Sequence, residues 1–214
     1  MKRMTRFVII VILIASLDCS SVFAAKLSGK RIYIDPGHGG SDSGAVGPTG
    51  LKEKDVNLRV ATVVRNCLVE YGGATVRMSR TTDVYKGLSW RADDANAWGA
   101  VRFISVHHNS SGDRNTNYVS TYCYPYVGST TLNLRNKIHE ELCTWARNNG
   151  GGGNGGVHTA NFAVLRETNM PAVLIEASFI SNPSEEARLR DQGYTWREGY
   201  YIYRSIARHY GVTP

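Results

Sequence analysis

No run of about 20 apolar residues, no internal repeat and no Pro- or Ser-rich linker occurs in this 214-residue chain. The first lack excludes a membrane span. The others exclude a stacked-repeat architecture and a tethered second module. Lys and Arg are scattered, and no recognition motif accompanies them, so the formal charge of +7 is no nucleic-acid signature. No G-x-G-x-x-G opens a helix, and no Lys-Ser/Thr pair follows the glycine loop at Gly37 to Gly44. Nucleotide binding is therefore disfavoured, although such a loop can cradle a phosphate. Cysteine is scarce: beyond Cys19 there are Cys67, Cys123 and Cys143. An odd count in an exported chain leaves at least one unpaired, and three small buried side chains are favoured over a disulfide framework.

What is present begins with an export signal. Lys2, Arg3 and Arg6 form a basic segment, Phe7 to Ser16 an apolar core, and Val22-Phe23-Ala24 a small-residue cleavage site. Residues 1–24 read as a secretory signal peptide and residues 25–214 as one domain. Asp18 makes a poor lipidation context for Cys19. Loss of three cations and one anion (Lys2, Arg3, Arg6 and Asp18) leaves a charge of +5. That modest excess suits an anionic polymer such as a bacterial wall without specifying one.

Strand-like and helix-like runs then alternate, the pattern of an α/β domain. Strands are predicted over Arg31 to Asp35, Ala74 to Ser79, Val101 to His107, Tyr118 to Tyr124 and Ala172 to Ala177. A helix follows Asp55 as N-cap, with Val56, Val60, Val64, Cys67 and Leu68 on one face. Others run from Leu88 to Trp98, from Ser129 or Thr130 through Trp145, and from Thr195 to Tyr210. The Gly- and Asn-rich stretch Asn148 to Gly156 reads as a mobile loop. Strands joined through helices favour a mostly parallel sheet covered on both faces. Functional groups collect beyond the carboxyl ends of such strands.

Four residues carry the chemistry. His38 lies among glycines in IYIDPGHGGSDSG, just past a strand. Glu53 sits in GLKEKDVN, before the first helix. His107 ends FISVH and points with Phe103 and Ser105, whereas His108 points to the other face. Two imidazoles and one carboxylate leave a fourth position on zinc for water. Glu176 lies in the apolar strand PAVLIEAS. There a carboxylate needs a partner, such as Arg166, or a shifted pKa; free of such a partner it can act as general base. Asn109 and Arg166 are candidate substrate-binding residues near the cleft. His139 is expected to be solvated, and His158 is a weaker candidate for substrate contact.

The motifs IYIDPGHGGSDSGA, GLKEKDVNL, SRTTD, WRADDANAWGA, FISVHHNS and VLRETNMPAVLIEASFISNPSEEARL resemble, in order, those of the zinc-dependent N-acetylmuramoyl-L-alanine amidases of the Amidase_3 type. The resemblance implies a twisted, mostly parallel sheet of about six strands. It assigns zinc (Zn2+) to His38, Glu53 and His107 and catalysis to Glu176. It also implies cleavage of the amide between N-acetylmuramic acid and the L-alanine of the stem peptide. Peptidoglycan is then the partner, a monomer the working form, and the periplasm or cell wall the location. His108 stands where a small residue is common in the family, so a crowded rim is expected. Neither a plugging helix between His107 and Glu176 nor wall-binding repeats are expected. The rival readings are a zinc peptidase acting on wall cross-links and a non-catalytic wall-binding module.

Overall fold

The computed structural model describes residues 27–214; the proposed signal peptide lies outside the described residues. Six strands are present: β1 (Arg31–Pro36), β2 (Thr75–Met78), β3 (Arg102–Asn109), β4 (Tyr118–Cys123), β5 (Gly153–Thr159) and β6 (Ala172–Phe179). They form one sheet in the order β2-β1-β3-β6-β4-β5. All neighbours run parallel except β4 and β6, which are antiparallel. The helices are α1 (Glu53–Glu70), α2 (Leu88–Trp98), α3 (Ser129–Asn148), α4 (Ala163–Arg166), α5 (Pro183–Arg190) and α6 (Gln192–His209). The α/β class and the mostly parallel six-stranded sheet match expectation.

Strand alternation divides the core in two. Ile32, Ile34, Ile104, Val106, Val173 and Ile175 face one layer, packed with α1, α3 and α6. Tyr33, Phe103, Ala172 and Leu174 face the other, covered by α2 and α4. Leu134, Ile138, Leu142 and Trp145 recur at helical spacing along α3 and are all fully buried. Burial of each such side chain contributes about 1.5–3 kcal/mol. Truncation of Leu142 to Ala would cost about 2–5 kcal/mol.

Several local expectations are corrected. Helix α1 starts at Glu53, with Lys52 rather than Asp55 as N-cap and no side-chain cap. Loop carbonyls take that role: Glu53 N–H donates to Ala45 O at 2.9 Å and Lys54 N–H to Ser43 O at 3.1 Å. Part of the supposed mobile loop is the edge strand β5. Its glycines permit close approach to β4, because a Cβ at Gly155 would lie 2.1 Å from the Tyr118 ring. Helices α4 and α5 were not foreseen. Asn182 caps α5 through its side chain, which accepts from Glu185 N, and Pro183 opens the helix. His139 is buried rather than solvated, with Nε2 2.8 Å from Asn154 Oδ1. Cys67, Cys123 and Cys143 are all free thiols. Among the described residues no helix is long and apolar enough to cross a membrane.

Candidate active site

Strand β1 ends at Pro36, and the chain turns sharply at Gly37 and His38. His38 takes φ 60°, the left-handed region that a side chain enters at a cost of about 1 kcal/mol or more. Two buried guanidiniums hold this turn through its carbonyls. Arg91 donates to Pro36 O and to His38 O, both at 2.8 Å. Arg80 donates to Pro36 O at 3.1 Å and to Gly37 O at 2.8 Å. Arg91 is itself fixed by Asp35, 2.6 Å away. Burial pushes the Asp35 carboxyl upward, but Arg91 and hydrogen bonds from Ser79, Arg91 and Ser105 outweigh it and hold the pKa below the usual value.

The His38 ring is then aimed. Its Nδ1 lies 2.8 Å from Asp42 Oδ2, so Nδ1–H donates there and Nε2 turns inward, 3.2 Å from Glu53 Oε2. Glu53, the first residue of α1, reaches across with its other oxygen to within 3.0 Å of His107 Nδ1. Both carboxylate oxygens are anchored. Oε2 accepts from Ala45 N–H at 2.9 Å, and Oε1 accepts from Asn57 Nδ2 at 3.1 Å and from His108 N–H at 3.2 Å. Burial opposes the charge on Glu53, yet His107 and His38 together pull its pKa far below the usual carboxylate range. Two glycines beside the cluster have no room for a side chain. A Cβ at Gly37 would lie 2.1 Å from the His107 ring, and one at Gly44 2.6 Å from Glu53 Oε2.

One ligand atom from each of His38, Glu53 and His107 lies within 4.8 Å of the others. Two imidazoles bracketing one carboxylate make a nitrogen and oxygen donor set that fits a small divalent cation such as zinc. Glu176 stands next to this cluster, as register partner of His107 across β3 and β6. Among the described residues its Oε2 is buried without any hydrogen-bond partner. Burial, and then the nearby Glu53 charge, push its pKa well above the usual value. The alternative of a glutamate satisfied by arginine is excluded, because Arg166 pairs with Glu167 at 2.7 Å and with Asn161 Oδ1 at 2.7 Å.

The cluster opens into a cleft of about 540 Å³, whose walls include Tyr85, Lys86, Leu88, Phe162 and Val164. Asn109 and Arg166 do not line it. Asn109 Oδ1 accepts from Ser110 N–H at 2.7 Å, and Arg166 reaches the cleft wall only through Asn161. His158 lies outside the cleft, stacked on Tyr122 at 5.3 Å. His108 is fully buried on the far face of β3, so it does not crowd the rim. Sequence reasoning missed Asp35, Asp42, Arg80 and Arg91. The available signal was two arginines in SRTTD and WRADDANAWGA, charged residues next to buried helix and strand positions.

Known proteins share this fold. Residues 32–208 match the Amidase_3 family, described as N-acetylmuramoyl-L-alanine amidase. The chain is 42% identical over 165 residues to N-acetylmuramoyl-L-alanine amidase CwlM of Bacillus licheniformis, and 43% identical over 165 residues to the sporulation-specific N-acetylmuramoyl-L-alanine amidase of Bacillus subtilis. Each match covers 77% of this chain and 62% of the relative, so the chain spans less than two thirds of those proteins. The catalytic domain of CwlV, from Bacillus (Paenibacillus) polymyxa, superposes with a TM-score of 0.79 at 34% identity, over 86% of this chain and 99% of that one. By the family match over residues 32–208 and the shared fold, the chain belongs to the Amidase_3 family of N-acetylmuramoyl-L-alanine amidases.

Proposed function

We propose that this chain hydrolyses the amide bond between N-acetylmuramic acid and the L-alanine of the peptidoglycan stem peptide. The carrying observation is the convergence of His38, Glu53 and His107 within 4.8 Å, with the unpaired carboxylate of Glu176 alongside. In this reading the three residues hold zinc. When bound, the ion supplies positive charge that acidifies a water and polarises the scissile carbonyl. Glu53 offsets part of that charge, while Asp42 keeps the His38 ring turned for coordination.

Glu176 acts as general base and then general acid. Its orphaned oxygen is free to accept a proton from the attacking water. Burial and the Glu53 charge raise its affinity for that proton, which then passes on to the departing alanine nitrogen. Tyr85, Leu88, Phe162 and Val164 supply apolar surface along the cleft against which substrate can pack. The named substrates of the relatives, the modest basic charge and the export signal support a secreted enzyme working at the wall or in the periplasm, as a monomer. A zymogram on purified peptidoglycan tests this. Clearing that chelator abolishes and added zinc restores is expected. Clearing unaffected by chelator would remove the metal from the account.

A further inference from the structure

Behind the cluster, on the far face of the sheet, lies a polar chain that the catalytic account does not use. Asn57, His108 and Glu198 are each fully buried. Asn57 Nδ2 faces two oxygens, Glu53 Oε1 at 3.1 Å and Gly37 O at 3.3 Å. Both amide hydrogens are thus directed at acceptors, which fixes the amide orientation. Asn57 Oδ1 must then accept, and the donor is His108 Nδ1 at 2.8 Å. The other ring nitrogen lies 3.2 Å and 3.3 Å from the two oxygens of Glu198. Among the described residues the Glu198 carboxylate has no other partner.

The packing that assembles this chain is specific. Residue Gly199 presses α6 against α1; a Cβ there would lie 2.7 Å from Val63 Cβ. That contact carries Glu198 beneath β3, where His108 points with Ile104 and Val106 into the apolar layer. An isolated charge pair in such a layer adds little stability over apolar side chains of similar volume. What the pair does reach is Glu53, through Asn57 and through the His108 backbone N–H.

We infer that His108, Asn57 and Glu198 are positioning residues that fix the Glu53 carboxylate between His38 and His107 before a metal arrives. This rests on reading His38, Glu53 and His107 as the ligands. Glu53 would otherwise rotate about its side-chain torsions and lose that freedom on coordination, which weakens binding. Pinning Oε1 from behind removes the loss.

The test uses the full chain and measures zinc affinity by chelator competition, together with the thermal midpoint of the metal-free protein. His108→Leu with Glu198→Leu removes both buried ionisable groups at once and leaves only Asn57 Oδ1 without its donor. The inference expects a folded protein with a modestly lowered midpoint and zinc binding weaker by about 10- to 100-fold. Glu198→Gln keeps an acceptor for the ring and is expected to retain most of the affinity. Unchanged affinity in the folded double variant overturns the inference and leaves the three residues a structural role only. Should the double variant not fold, Asn57→Ser cuts the same connection, and unchanged affinity there is equally contrary. His38→Ala separates the two readings. If it binds zinc as well as the unaltered protein, the ligand assignment fails; if it loses zinc while the double variant does not, only the positioning role fails.

Discussion

Glu176 on β6 and His107 on β3 are register partners across a parallel strand pair, and both side chains emerge on the cleft face. The relationship follows from strand alternation, since His107 shares parity with Phe103 and Glu176 with Ala172 and Leu174. It places an unpaired carboxylate beside the proposed metal cluster without a loop to hold it. Glu176→Gln is therefore expected to leave zinc stoichiometry and thermal stability intact while lowering wall hydrolysis by about 10²- to 10⁴-fold. Parallel assays of metal content and of newly released amine end groups check it.

The turn at Gly37 makes a second prediction. With His107 2.1 Å from where a Cβ would sit, Gly37→Ala must push the ring aside or shift the β1 end. Zinc affinity in chelator competition is expected to fall by about tenfold or more. Retention of full affinity would show that the His107 ring has freedom that the packing does not provide.

The Asp35 and Arg91 pair supports the left-handed His38 turn from below. Arg91→Met leaves Asp35 buried without its cation and is expected to cost about 3–5 kcal/mol in denaturant unfolding. The Asp35 pKa is lower in the folded chain than in the unfolded one. Its contribution is thus complete above the unfolded pKa of about 3.9 and is lost as pH falls through the folded value. The variant should lack that part of the acid dependence.

His209 gives a prediction away from the cleft. Its Nδ1 faces Asn133 Oδ1 at 2.8 Å, and its Nε2 accepts from Arg102 Nε at 2.9 Å. Burial, and then the Arg102 charge, pull its pKa down to about 4. The unfolded chain binds this proton more readily, so the stabilisation is present above about pH 6.5 and declines as pH falls towards 4. An NMR titration of the His209 ring should show a midpoint near 4, and His209→Gln should flatten the stability profile across that window. A midpoint near 6.5 contradicts it.

Legibility in the sequence was uneven for physical reasons. His38, Glu53, His107 and Glu176 stand out because each breaks an apolar or glycine pattern within or beside an element whose periodicity is strong. The start of helix α1 was misread by three residues because its cap is made by the carbonyls of Ser43 and Ala45, a contact between segments that local residue types do not reveal. Strand β5 was hidden because its glycines answer to Tyr118 on the neighbouring strand and not to strand propensity. His108 found buried partners in Asn57 and Glu198, and His139 an exposed one in Asn154, all on other elements. Arg80 and Arg91 serve backbone carbonyls of a strained turn, a role invisible until the turn exists.

Mass spectrometry of purified peptidoglycan digested by the zinc-loaded protein tests the central claim most directly. The account predicts intact stem peptides released with a free L-alanine amine, and glycan strands whose muramic acid lactyl groups end in a carboxylic acid. Products cut within the peptide cross-links, with the muramyl amide intact, would contradict it.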